Sequence, residues 1–270
     1  MKILLNNNDL NEALNKVSNL GFVPTMGSLH EGHISLIRKS KKKAKKTIVS
    51  IFINPKQFNN KKDFERYPKN HKKDLSILKN LNVNYLYLPK TNQIYDSKRV
   101  KKIQIKKKDK ILCAKYRKGH FEGVLDVMDR LTKKIRPKFI FMGIKDYQQL
   151  HLVKNFVEKR HRCKIVPCKT IRNSNQLALS SRNLLLSKNG KFKAEKLTKN
   201  LIKFKKNLKT IKDVKKAIII KKKELSQSYD INIEYLELRN EKNLKLTNKT
   251  QHSKLFIAFY LDKIRLIDNI

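Results

Sequence analysis

The chain has 270 residues, with 65 Lys and Arg against 22 Asp and Glu, and a formal charge of +43 would ordinarily point to a polyanionic partner. The lysines instead run along nearly the whole length, as at Lys41 to Lys43, Lys106 to Lys108 and Lys221 to Lys223, with no interleaved aromatics and no helix-turn-helix or ribonucleoprotein signature. This reads as a solvated surface shaped by AT-rich codons and not as a specific nucleic-acid site. Three cysteines without metal spacing, no apolar run near the ~18 residues of a membrane span and a short polar amino terminus exclude a disulfide scaffold, a zinc module and a bilayer span; the expected setting is a reducing cytoplasm.

The first predicted strand, 21–24, runs into Thr25-Met26-Gly27-Ser28-Leu29-His30-Glu31-Gly32-His33 and a helix over 34–46. Gly27 permits close backbone approach, and the following helix N-terminus would offer unbonded N–H groups and a positive dipole end to phosphate. His30 and His33, three apart, would share a helix face and donate to phosphate oxygens as charge builds at the α-phosphorus. Capping or surface histidines are the plainer alternative, disfavoured by a His-x-Gly-His run placed after a strand and a Gly turn. Glu31 does not share their face, which weighs against a metal site.

A second strand, 47–53, delivers Asn54-Pro55-Lys56-Gln57, whose neutral amides suit the hydroxyls and carboxylates of a small substrate. A helix over 71–80 and a strand over 83–88 follow. The loop Arg117-Lys118-Gly119-His120 leads into a helix over 123–136 and reads equally as a phosphate clamp or as a connection. Next comes a strand over 138–142 and the turn Gly143-Ile144-Lys145-Asp146 before a helix over 147–159. Lys145 supplies a point charge for phosphate, Asp146 a carboxylate for a Mg²⁺–nucleotide complex, and Gln149 would face the substrate one turn further on. Continuous apolar strands alternating with helices, closing near 164–167, imply a parallel sheet covered on both faces, with ligands beyond the carboxyl ends of its strands.

Past Ile171 the texture changes to a Lys-rich helical region over 188–223 and strands over 231–238, 255–261 and 264–267. The expected organisation is a Rossmann-like α/β domain over 1–170 and a smaller α+β lid over 171–270, with the active site at the seam. Thr170-Ile171-Arg172 and Leu179-Ser180-Ser181-Arg182-Asn183 read as a phosphate-gripping loop, Arg182 following the departing pyrophosphate. Helix capping is the competing reading for Ser180 and Ser181.

These five segments, in order from Phe22 to Asn183 with Arg265-Leu266-Ile267-Asp268-Asn269 at the end, resemble the pantothenate synthetases (pantoate–β-alanine ligases). His30 to His33 resembles that family's form of the HIGH signature of nucleotidyl transferases, and Ser180-Ser181-Arg182 its second signature. The resemblance implies a Rossmann-like nucleotidyl-transferase domain, a lid, a homodimer and a two-step reaction: pantoate and Mg·ATP give pantoyl-adenylate and pyrophosphate, then β-alanine displaces AMP. It implies that ATP is bound by Met26, Gly27, Ser28, Leu29, His30, Glu31, Gly32 and His33, by Gly143, Ile144, Lys145 and Asp146, and by Ile171, Leu179, Ser180, Ser181 and Arg182. His33, His30, Lys145 and Arg182 would be catalytic, His33 as proton donor near the α-phosphate. Gln57 and Gln149 would hold pantoate, Gln57 and Asn54 would serve β-alanine, and Asp146 would touch the Mg²⁺.

Three positions depart from the family pattern: Ile144 stands for Glu, Asn175-Gln176 for Asp-Gly, and Lys118 for Pro. Two other readings compete, an aminoacyl-tRNA-synthetase-like adenylating enzyme and a basic nucleic-acid-binding protein on an inactive Rossmann-like domain. The first lacks room for a tRNA-docking module in the remaining ~100 residues. The second predicts loss of His33, Lys145 or Arg182, and all three are present.

Overall fold

A computed structural model describes residues 1–96 and 102–270, in two compact units, Met1–Lys169 and Thr170–Ile270. In the first unit the described elements are β1 (Lys2–Leu4), α1 (Asn7–Leu14), β2 (Leu20–Thr25), α2 (Glu31–Lys43), β3 (Lys46–Ile51), α3 (Lys61–Glu65) and α4 (His71–Asn80). They continue with β4 (Tyr85–Tyr87), α5 (Thr91–Ile94), α6 (Cys113–Tyr116), α7 (His120–Ile135), β5 (Phe139–Gly143), α8 (Tyr147–Val157) and β6 (Lys164–Cys168). The six strands form one parallel sheet in the order β1-β4-β3-β2-β5-β6. β2 and β3 are buried along almost their whole length, as strands covered on both faces must be.

The strand order reverses between β2 and β5, and there the sheet opens. β2 pairs with β3 through all six of its residues but with β5 only at Gly21 and Phe22. Pro24, with no N–H to give a neighbour, sits where β5 no longer pairs, so it costs no ladder bond on that side. Beyond this point the loops after β2 and β5 face one crevice, the place where open α/β sheets bind ligands. Below it, Val23, Val49, Phe141 and Ile37 are completely buried.

The helix expected from residue 34 begins at Glu31, because His30 caps it, and the helix expected from 123 begins at His120. β1 and α1 were not foreseen. β1 is three residues long with two of them exposed, so it carries no apolar run for a sequence to display.

The second unit comprises α9 (Lys188–Asn207), α10 (Val214–Tyr229), β7 (Asn232–Asn240), β8 (Ser253–Leu261) and β9 (Ile264–Asn269). Its strands form an antiparallel sheet, β7-β8-β9. The Lys-rich region is two helices, divided where Asp213 accepts the Lys216 N–H and caps α10. Ala194, Leu197, Leu201, Ile218 and Leu225 bury one stripe of the pair against the sheet core while the lysines stay outside it.

Candidate active site

Three turns at the carboxyl ends of the central strands, after β2, β3 and β5, carry polar residues of the first unit. After β2, Thr25 Oγ accepts the Gly27 N–H (3.2 Å) and donates to the Ser50 carbonyl (2.8 Å). Gly27 and Ser28 both take left-handed conformations, φ +80° and +52°, and Asp74 on α4 accepts the N–H groups of Ser28 (2.8 Å) and Leu29 (2.7 Å). The His30 N–H goes to His33 Nδ1 (3.3 Å) and the Gly32 N–H to His30 Nδ1 (3.1 Å). The expectation of unbonded backbone N–H groups is corrected for Gly27, Ser28, Leu29, His30 and Gly32, which all bond within the protein.

His30 and His33 thus do cap α2, yet capping does not exhaust them. Their rings lie 4.1 Å apart, and each uses Nδ1 as an acceptor, which places the proton of the neutral ring on Nε2. Burial, then the charge of Lys145 partly opposed by Asp146, lowers the His30 pKa to about 4. Burial, then His30 and Lys145, lowers that of His33 to about 3. At neutral pH both rings are uncharged hydrogen-bond donors through Nε2. Lys145 and Asp146 belong to the turn after β5, so that turn lies close to the two rings. Lys145 Nζ lies 3.8 Å from Asp146 Oδ1.

Asp146 is nearly half exposed, and among the described residues no group of three His, Cys, Asp or Glu is placed to hold a metal. One carboxylate beside a lysine fits a Mg²⁺ ion that arrives on nucleotide phosphates and keeps most of its waters, not one held in a protein cage.

After β3, Asn54 is 1% exposed. Its Nδ2 donates to the Gly123 carbonyl (3.1 Å) and to Gln57 Oε1 (3.3 Å), and its Oδ1 accepts from Tyr95 Oη (2.7 Å) and the Lys56 N–H (3.2 Å). That fills the bonding capacity of an amide, so Asn54 orients Gln57 and has nothing left for β-alanine. Gln57 Nε2 points at Met26 Sδ (2.7 Å), which links the β3 turn to the β2 turn. The Gln57 carbonyl accepts from His120 Nδ1 (2.7 Å) and Arg117 Nη2 (3.3 Å), and Arg117 Nη1 donates to His120 Nε2 (2.9 Å). The loop left open between phosphate clamp and connection is a support for Gln57.

The adjacent glutamines on α8 divide their work. Gln148 is buried and bonds Asp109, Ile111 and Ala114 backbone groups, while Gln149 is half-buried with no hydrogen-bond partner among the described residues. The sequence singled out Gln149. It missed Asp74, whose partners lie 45 and 46 residues away.

In the second unit Ile171 pairs its carbonyl with the Leu179 N–H (3.0 Å). Arg172 makes a bidentate bond to Asp268 (2.6 and 3.0 Å) and reaches the Gln176 and Asn269 carbonyls, so it pins the loop and is not a phosphate ligand. Ser180 Oγ accepts the Arg182 N–H (3.3 Å) as the cap of the 3-10 turn Ser181–Leu185, and Ser181 is buried. Capping thus accounts for Ser180, while the Arg182 side chain is half-buried. Gln176 takes a left-handed conformation, φ +71°.

Residues 2–270 match the family described as Pantoate-beta-alanine ligase. The pantothenate synthetase of Endomicrobium trichonymphae is 39% identical, the match covering 100% of this chain and 97% of that protein. The crystal structure of pantothenate synthetase from Thermus thermophilus superposes with a TM-score of 0.93 at 29% identity, covering 100% and 99% of the two chains. Pantoate-beta-alanine ligase from Francisella tularensis, solved with beta-gamma ATP and beta-alanine, gives a TM-score of 0.84 at 35% identity over 100% and 97%.

Proposed function

The chain belongs to the pantoate-beta-alanine ligase family, and from that premise we propose that it joins pantoate to β-alanine by way of pantoyl-adenylate, at the expense of ATP. The observation that carries the reading is the meeting of His30, His33, Lys145 and Asp146 where the loops after β2 and β5 share one crevice. A similar ligase holds an ATP compound and beta-alanine together in its crystal structure.

In the first step a carboxylate oxygen of pantoate forms a bond to the α-phosphorus of ATP, and the bond from that phosphorus to the bridging oxygen breaks, releasing pyrophosphate. Negative charge grows on the α-phosphoryl oxygens meanwhile. Neutral His33 donates to one of them through Nε2–H, His30 does the same along the triphosphate, and Lys145 supplies the full positive charge. Asp146 would be the carboxylate beside a Mg²⁺ ion arriving on the nucleotide, an ion that would offset phosphate charge. The family resemblance assigns the leaving pyrophosphate to Arg182, with Ile171, Leu179, Ser180 and Ser181 on its loop.

Gln57, fixed by Asn54 and His120, and Gln149, with its amide available, hold pantoate. In the second step the neutral β-alanine amine attacks the acyl carbon, the C–O bond to the adenylate breaks, AMP leaves and the nitrogen gives up a proton to solvent; Gln57 serves that substrate too. The protein contributes position and charge stabilisation, since the substrate carboxylate is itself the nucleophile. No described helix is long and apolar enough to cross a membrane. We further infer a lid role for the second unit, a homodimer and a cytoplasmic setting; sedimentation tests the dimer. ATP–pyrophosphate exchange with pantoate and no β-alanine tests the chemistry, and absence of exchange overturns it.

A further inference from the structure

Nothing in the proposed chemistry uses Asp74, yet its side chain holds the loop on which that chemistry stands. It is 1% exposed, forms no ion pair among the described residues, and presents one carboxylate oxygen to each of two successive amides, those of Ser28 and Leu29. Successive N–H groups beside left-handed residues make a concavity that binds anions. Here Gly27 and Ser28 are the left-handed residues, and the anion in the concavity is the protein's own. The fit is close, since a Cβ added at Gly27 would lie 3.1 Å from Asp74 Oδ2.

We propose that Asp74 is a positioning residue for the nucleotide step, filling the anion nest of Ser28 and Leu29 so that the loop enters α2 with His30 and His33 correctly set. The inference rests on the nucleotide role given above to this loop. Two consequences follow. Ser28, a residue that does not favour positive φ, keeps that conformation because both neighbouring amides are tied to a fixed carboxylate. The triphosphate is barred from these amides, so its oxygens are met by histidine Nε2–H groups and Lys145. A phosphate-binding turn would leave such amides open to the ligand; this one closes them and hands the contact to side chains.

Two measurements test the proposal. In the unmodified protein the Ser28 and Leu29 amides should be protected from hydrogen exchange before any nucleotide is added. If they exchange freely and gain protection only with ATP, they are phosphate ligands and the inference fails. Asp74→Ala and Asp74→Asn are then assayed by ATP–pyrophosphate exchange with pantoate. Misplacement of a reacting group by about an ångström costs about a hundredfold, so that loss is expected in kcat/KM for ATP, with KM for pantoate changed by less than about threefold. Formate, which can occupy the space of the missing carboxylate, should restore about tenfold to Asp74→Ala and nothing to Asp74→Asn, where the space is filled. Unaltered ATP kinetics, or equal losses for both substrates without formate rescue, overturns the proposal. Absence of exchange in the unmodified protein overturns the functional reading instead, and amide protection still decides what Asp74 does to the loop.

Discussion

Gly123 on α7 packs against the Lys56 carbonyl so closely that a Cβ there would stand 2.2 Å from that oxygen and 3.0 Å from the Gln57 N–H nitrogen. The obstacle is backbone, which cannot rotate away as a side chain can. Gly123→Ala should therefore displace either α7 or the turn that carries Gln57. A stability loss of ~1–3 kcal/mol is expected, as for other overpacked sites. The kinetic loss should fall on pantoate, with KM raised about tenfold and ATP KM nearly constant. A change confined to ATP would show that Gln57 does not hold pantoate.

The same contact shows what the sequence discloses and what it hides. Strands β2, β3 and β5 are continuous apolar runs, and the turns that follow them carry Gly27, Asn54, Gln57, Lys145 and Asp146, so the sheet and much of the crevice were legible. The division of labour within each turn was not. Asn54 and Gln57 look alike as amides, and only the position of Gly123 and Tyr95, 69 and 41 residues away, shows that Asn54 is fully bonded. Gln148 and Gln149 differ only in which way the helix turns them. Asp74 reads as a first-turn acid of a Lys-rich helix until the fold brings it beneath the β2 loop. Local pattern reveals which elements form; pairing over dozens of residues reveals which side chains remain available.

Gln176 stands at φ +71°, at the position where the family resemblance leads one to expect glycine. Left-handed backbone costs a side-chain-bearing residue roughly 1–2 kcal/mol, and a glycine gives back about half through its more mobile unfolded state. Gln176→Gly should stabilise the protein by about 0.5–1 kcal/mol in urea unfolding. Equal or lower stability would mean that the bonds of Asn173 to the Asn175 and Leu177 N–H groups already relieve the strain.

The two histidines also set a pH dependence. Their folded values, about 4 for His30 and about 3 for His33, lie below the ordinary 6.5. Between 6.5 and those values the unfolded chain binds protons that the folded chain does not, so stability rises with pH across the window and falls as pH drops through it. Above 6.5 these groups add no slope. Urea unfolding of a His30→Asn/His33→Gln variant, which keeps a capping side chain at residue 30, should vary less between pH 4.5 and 6.5 than the unmodified protein. Parallel curves would mean the rings are charged in the folded state.

The charge of +43 has a separate test. Lysines that merely coat a surface bind RNA weakly, without sequence preference, and lose that binding steeply as salt rises. Pantothenate formation should be indifferent to ribonuclease. A nanomolar, sequence-selective RNA complex at physiological salt would show that the basic surface has a partner of its own.

His33→Ala should slow adenylation far more than it weakens ATP binding. The ring is neutral at pH 7 and its Nδ1 accepts the His30 N–H, so it offers Nε2–H in a fixed direction. A preset donor binds the transition state better than the ground state, because charge on the α-phosphoryl oxygens is greatest during attack. Losing one such donor costs on the order of 10²–10³ in rate, or ~3–4 kcal/mol. His30 should show a similar but smaller loss, since its place is along the triphosphate. Preformed pantoyl-adenylate bypasses the attack, so capture of β-alanine by the variant should stay within about tenfold of the unmodified enzyme, a gap of ~1.4 kcal/mol. Rapid-quench kinetics separates the two steps, and AMP, not ADP, should accompany product. If His33→Ala slowed only the β-alanine step, the donor at the α-phosphate would have to be sought in Lys145 or Arg182.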